Sequence, residues 1–290
     1  MRMRSLLFVP GDSPRKFEKA ASAGADVLIL DLEDSVAPAQ KPEARTHVSS
    51  LLESPTSRDW SFFVRVNALD TGLTLSDLRA VVRPGLDGIL VPKSNGAQDI
   101  LQLGHYLDVL EAQTGIEAGT VKILVVATET PAAMFALGSY SPAHPRLIGL
   151  TWGAEDLSAS IGATGNKDEA GGWSFPYKMA RAQCLFAAAA ANVAPIDTLY
   201  VDFRDQTGLA ADCQIARRDG FTGRIAIHPD QVAVINACFS PSDADIALAQ
   251  RIVAAFAAQP QAGTLGIDGK MYDIPHLKAA QKTLAAAGIL

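Results

Sequence analysis

Ionisable side chains recur in this chain directly after short apolar runs. Asp31, Glu33 and Asp34 follow VLIL, Arg65 and Asn67 lie within FFVRVNAL, and Lys93 follows GILVP. Glu129 comes near the end of VKILVVATET, Glu155 and Asp156 follow LIGLTWGA, Asp202 follows TLYV, and His228 follows RIAI. One such residue would mean little. A set of them brought to one place is costly to desolvate unless a charged ligand or a metal compensates. Carboxylates from neighbouring segments, completed by water and ligand oxygens, are hard donors of the kind Mg²⁺ prefers. The sequence has no His or Cys pair at zinc spacing. It also lacks a P-loop signature and a GxSxG nucleophile elbow.

The elements that must carry these residues alternate regularly. Short runs of apolar and β-branched residues begin near positions 5, 26, 62, 87, 121, 146, 196 and 223, and longer amphipathic stretches separate them. The runs are continuously apolar, as expected of parallel strands buried on both faces. The first helix is marked by Ser13 as N-cap, Pro14 in its first turn and Gly24 as its stop. The second covers residues 41–54, and strand seven is read over 196–203. Eight strands alternating with eight helical segments predict a (β/α)₈ TIM barrel. A doubly wound open sheet would require a GxGxxG turn after strand one, where this chain has PGDSP. The expected division is a catalytic barrel over 1–240 and a C-terminal extension over 241–290. The extension comprises a helix, a Gly-rich hairpin and a last helix begun by Pro275.

Bulk properties narrow the class. With 48% hydrophobic and 19% charged residues the 290-residue chain reads as an ordinary folded enzyme. A net charge of −6 argues against general nucleic-acid binding. The three cysteines have no CxxC spacing and fit a reducing compartment. The N-terminal apolar run is too short for a signal core, and the Ala-rich run over 184–195 is too short to span a bilayer. The expectation is a cytoplasmic protein with neither a membrane nor a nucleic acid as partner.

Taken together, SLLFVPG with SPRKFEKA, ADVLILDLEDSVAPAQKPEAR, VRVNAL, DGILVPKS, ATETPAAMF, GAEDLSASIGA, GRIAIHPDQV and DGKMYDIP resemble the citrate lyase beta-subunit family. That family, within the HpcH/HpaI aldolase/citrate lyase superfamily, includes malyl-CoA and citramalyl-CoA lyases. The segments run in family order from Ser5 to Pro275. The resemblance implies Glu129 and Asp156 as ligands of Mg²⁺, with Mn²⁺ as a substitute. It gives Arg65 a substrate-binding and catalytic role, with Glu129 also facing substrate. Asp31, Glu33, Asp34 and Lys93 would support this set from behind. Coenzyme A, as part of the substrate, would lie along Phe8, Arg15 and Lys19. Arg15 and Lys19 share a helix face at i and i+4, although an ordinary basic stripe has the same spacing. In related lyases an Asp of the C-terminal segment closes over a neighbouring subunit's barrel as the proton-transfer group. The match to KMYDIP places it at Asp273, while Asp268, followed by Gly, reads as a turn residue.

The implied reaction is Mg²⁺-dependent carbon–carbon cleavage of a hydroxyacyl-CoA thioester such as citramalyl-, malyl- or citryl-CoA. Its products would be acetyl-CoA (or pyruvate) and an oxo acid, and its assembly a homotrimer or a dimer of trimers. Other readings remain open at this point. They are a CoA-independent 4-hydroxy-2-oxo acid aldolase, a malyl-CoA thioesterase, and the beta subunit of a multi-subunit citrate lyase complex. Lys41 and Arg45, at i and i+4, read either as partners of the acids following strand two or as a solvated helix face.

Overall fold

A computed structural model describes residues 1–53 and 57–290. In chain order the first unit contains β1 (Ser5–Pro10), α1 (Pro14–Ala21), β2 (Val27–Asp31), α2 (Lys41–Glu53), β3 (Ser61–Arg65), α3 (Thr74–Val81), β4 (Gly88–Val91) and α4 (Ala97–Thr114). It continues with β5 (Lys122–Val126), α5 (Pro131–Met134), β6 (Leu147–Thr151), α6 (Ala154–Ser160), α7 (Phe175–Ala191), β7 (Ala194–Asp197), α8 (Gln206–Asp219), β8 (Gly223–Ala226) and the start of α9 (Val232–Phe239). The second holds α10 (Asp243–Ala258), β9 (Thr264–Ile267), β10 (Lys270–Asp273) and α11 (Ile274–Ala286). The two compact units span 1–236 and 237–290. The α2 reading had extended to Ser54, which lies outside the described residues.

The first unit is a (β/α)₈ TIM barrel. Strands β1 to β8 pair in parallel, each with the next, and β1 closes the ring against β8. All residues of β2, β4 and β8 are buried, as strands covered on both faces must be. The barrel interior is filled by alternate positions, among them Leu6, Val27, Ile29, Phe63, Leu90, Leu124, Val126, Ile196 and Ile225. Because strand side chains alternate with period two, the next interior positions on β2 and β3 are Asp31 and Arg65. These two residues are paired in register. The strands therefore bring an acid and a base into the top layer of an otherwise apolar interior.

Several boundaries differ from the sequence reading. Ser13 occupies the N-cap of α1, but its hydroxyl makes no capping hydrogen bond. Glu155 and Asp156 lie in the first turn of α6, since β6 ends at Thr151. Strand seven begins and ends earlier than 196–203. Pro195 sits inside it, with its carbonyl accepting from Thr222 N at 2.9 Å. Asp202 consequently falls in an exposed loop, and Asp197 is the acid at that strand end. The stretch Pro229–Ala258 is long and apolar enough to cross a membrane by length and composition. It is broken at 240–242, where the Ser242 hydroxyl accepts from Asp245 N and starts α10.

The second unit has its own small core. Ala249, Ile252 and Phe256 of α10 pack with Ala280 and Leu284 of α11, and Leu265 and Tyr272 of the hairpin lie against them. Asp268 turns the hairpin with φ of +49°, next to Gly269 at +74°. This is the left-handed geometry that Asp and Gly tolerate. Its carboxylate pairs with Arg251.

Candidate active site

The barrel mouth is organised around Arg65. Its Nε and one terminal nitrogen donate to the two oxygens of Asp31, each at 2.7 Å, and a third nitrogen lies 2.9 Å from Glu33 Oε2. The guanidinium also stacks over the Phe8 ring, 4.8 Å from its centroid. Desolvation disfavours the Arg65 charge, but Asp31 and Glu33 outweigh it and the pKa rises. Desolvation likewise opposes ionisation of Asp31, and the bonds from Arg65 overcome it, leaving that carboxyl below its usual range. Glu33 goes the other way: burial wins over Arg65 and Lys93 and pushes it up. A guanidinium has five N–H donors; two are taken by Asp31, which leaves donors for a ligand.

Lys93 ties the next sector together. It follows β4 with φ of +51°, a left-handed conformation uncommon outside glycine. That turn directs its backbone N–H at Glu129 Oε2, 2.6 Å away. Its ammonium pairs with Glu33, with Asp34 at 2.9 Å and with Asp156 at 3.3 Å. Desolvation lowers the lysine pKa, but these acids raise it further. Asp34 is the most exposed of the three, at 58%.

Glu129 is only 4% exposed. Burial, followed by the charge of Asp156, pushes its pKa up to about 8. A buried carboxyl beside another acid is the environment that a divalent cation relieves. Both Glu129 and Asp156 line the same small cavity at the barrel mouth, together with Arg65. Among the described residues no group of three or more His, Cys, Asp or Glu is arranged to hold a metal. A cation here would have two protein carboxylates and open positions for water and substrate oxygens, which suits Mg²⁺. Glu155, the neighbour that could have competed with Asp156, accepts from Asn166 Nδ2 at 2.9 Å.

A larger cavity of about 800 Å³ adjoins the mouth and shares Phe8, Arg65 and Leu199 with it. Lys19 lines it as expected, but Arg15 does not; Lys16, one turn before Ala20, takes that place. The signal was present in the sequence, because Lys16, Lys19 and Ala20 share the i, i+3, i+4 face. Lys41 and Arg45 do not meet the acids after β2. Lys41 donates to the carbonyls of Leu32 and Glu33 and to Asn67 Oδ1, and Arg45 pairs with Asp77. Lys41 thereby braces the loop that presents Glu33, and Arg45 holds Asp77, which accepts from Asn67 N. His228 stacks on Phe203 and accepts from Asp230 N, as a loop anchor does.

Asp197 went unnoticed in the sequence. It is 1% exposed, accepts from Trp152 Nε1 at 2.6 Å, and pairs with Arg181 and Arg224. It faces away from the barrel interior and fixes Trp152, a wall of the mouth. In the second unit Asp273 is the N-cap of α11: its carboxylate accepts from His276 N, and His276 Nδ1 lies 2.5 Å from Asp273 Oδ1. The His276 contact holds the carboxyl below its usual range.

Residues 4–229 match the sequence profile of the HpcH/HpaI aldolase/citrate lyase family. The chain belongs to that family. It is 36% identical to a (3S)-malyl-CoA thioesterase of Cereibacter sphaeroides over 98% of this chain and 94% of that protein. It is 35% identical to the citrate lyase subunit beta of Haemophilus influenzae, covering 98% and 96%. Its fold superposes on the protein CitE from Mycobacterium tuberculosis in complex with magnesium, acetoacetate and coenzyme A. The TM-score is 0.78 at 32% identity, over 99% of this chain and 98% of that one. Within the HpcH/HpaI aldolase/citrate lyase family, the acid–base cluster of the barrel mouth is thus the candidate site of lyase chemistry.

Proposed function

We propose that this family member is a Mg²⁺-dependent carbon–carbon lyase acting on a hydroxyacyl-CoA thioester of the malyl, citramalyl or citryl type. The observation that carries the reading is the convergence of Glu129, Asp156 and Arg65 on one cavity that opens into a larger one flanked by Phe8, Lys16 and Lys19. The similarity to CitE bound to magnesium, acetoacetate and coenzyme A supports it.

Glu129 and Asp156 would hold the cation, which when bound supplies a Lewis acid for the carboxylate and the adjacent oxygen of the substrate. The lysine cations and the Phe8 ring offer phosphate and apolar contacts for the coenzyme, with Arg15 on the exposed side of α1. Cleavage breaks the bond between the carbinol carbon and the carbon next to the thioester. The electron pair becomes a thioester enolate, and the carbinol carbon becomes the carbonyl of the oxo acid as its hydroxyl proton passes to the ionised carboxylate of Asp273. The N–H donors of Arg65 not taken by Asp31 meet the enolate oxygen. Asp31 and Glu33 keep that guanidinium in place, and the Lys93 backbone keeps Glu129 in place. Asp273, supplied by a neighbouring subunit of a homotrimer, hands a proton to the enolate carbon.

A second reading, thioester hydrolysis, is favoured by the similarity to the (3S)-malyl-CoA thioesterase. Purified protein incubated with malyl-, citramalyl- and citryl-CoA, with and without Mg²⁺, separates the two. Metal-dependent release of acetyl-CoA with an oxo acid is expected. Free thiol with an intact hydroxy acid would establish the hydrolase instead.

A further inference from the structure

We propose that Trp173 sets the size of oxo acid the site accepts, admitting glyoxylate and pyruvate and excluding longer or carboxymethyl-bearing homologues. This rests on the lyase reading for the identity of the ligand class. The mouth cavity holding Glu129, Asp156 and Arg65 measures only about 80 Å³. The carboxylate and oxo oxygens of a ligand must face the two acids with their cation and Arg65, so its remaining substituent faces the opposite wall. Trp173 lines the same cavity, set edge-on to Trp152 at 5.1 Å and 72°, and we place the substituent against its indole.

Trp173 is a partition between two spaces. It and Leu199 line both the mouth and a second cavity of about 400 Å³ that also contains Lys167, Tyr200 and Asp212. The partition is held from three directions. Trp152 behind it is anchored by the buried Asp197 through a 2.6 Å hydrogen bond. The Lys167 ammonium sits 3.1 Å above the ring centroid, and Lys167 and Trp173 form an antiparallel bridge. The turn between them is closed by Asp168, which accepts from Gly172 N at 2.8 Å. Removing the indole joins the two cavities and exposes the Lys167 cation to the substituent. An added carboxymethyl group would then gain room and a counter-ion together.

The test is calorimetric binding of glyoxylate, pyruvate, 2-oxobutyrate and oxaloacetate to Mg²⁺-loaded wild type, Trp173→Ala and Trp173→Phe. One added methylene at a closed apolar wall discriminates roughly 10–200-fold. Wild type should therefore bind pyruvate at least about tenfold more tightly than 2-oxobutyrate or oxaloacetate. Trp173→Ala should erase most of that ratio, and Trp173→Phe should fall between. Equal binding of pyruvate and oxaloacetate by wild type, no binding of any oxo acid, or a ratio unchanged in Trp173→Ala would each overturn the proposal. Should Trp173→Ala not fold, Leu199→Ala opens the same partition and is read in the same way. Oxo-acid binding does not require thioester cleavage. Size-graded binding with no cleavage of any thioester would sink the lyase reading and leave the wall intact.

Discussion

At the scale of single residues, Glu129 is the most revealing group. Its carboxyl keeps a proton up to about pH 8, because burial and the Asp156 charge both disfavour ionisation. The folded chain therefore binds more protons than the unfolded one between the ordinary carboxyl range and pH 8. Linkage then makes the metal-free protein lose stability as pH rises through that window. A divalent cation needs the ionised form, so its affinity should climb with pH and level off above about 8. Thermal melts with and without Mg²⁺ should show the metal-induced rise in Tm growing from about pH 6 to about pH 8.5. In Glu129→Gln the pH dependence should flatten and metal-dependent turnover should fall by at least about a hundredfold. Full activity in that variant would remove Glu129 from the site. Among the residues named from the sequence, Arg65 was legible because its motif is distinctive. Its pairing with Asp31 or Glu33 was legible too, as a way to fix the guanidinium; that it engages both acids at once required the strand register, which sets Asp31 and Arg65 side by side.

At the scale of elements, short turns aim the chemistry. The β6–α6 turn contains Gly153, where an added Cβ would lie 2.7 Å from Glu129 Cγ and 3.1 Å from Oε1. Gly153 has φ of −117°, so alanine is acceptable to the backbone there. Gly153→Ala should displace the Glu129 carboxylate and weaken Mg²⁺ binding roughly 10–100-fold, as loss of support around a ligand does. Calorimetric titration of the metal measures this, and an unchanged affinity would mean that Glu129 is not a ligand. The alternation of strands and helices was readable because buried parallel strands leave uninterrupted apolar runs. The end of β7 was misread for the same reason. TLYV is β-branched and apolar, yet Val201 is 62% exposed and Tyr200 turns to bond Asp205. Pro195 looked like a boundary but lies within the strand, so the acid at that end became Asp197 instead of Asp202.

At the scale of the molecule, the proposed site takes its metal pair and Arg65 from the barrel and Asp273 from the second unit. If the proton donor comes from a neighbouring subunit, inactivating lesions in the two units should complement each other. Co-refolded Glu129→Ala and Asp273→Asn chains should recover activity, because some sites in a mixed trimer receive a wild-type residue of each kind. Each variant alone should be inactive, and a mixture as inactive as its parts would confine the site to one chain. Asp273→Asn keeps an N-cap-competent side chain, so its folded state should persist by circular dichroism. The proposed trimer rests on the family resemblance alone, since nothing in composition or periodicity encodes a three-fold partner.

The placement of Asp273 has a mechanical consequence. The carboxylate proposed to carry the proton also fastens the first turn of α11, where its Oδ1 accepts from His276 N. Protonation replaces that charge-assisted hydrogen bond with a weaker neutral one, and the fastening slackens. When the proton leaves, the turn tightens again. An element built this way is firmest in the charge state that follows proton delivery, which ties its loosening to the chemistry without any separate hinge.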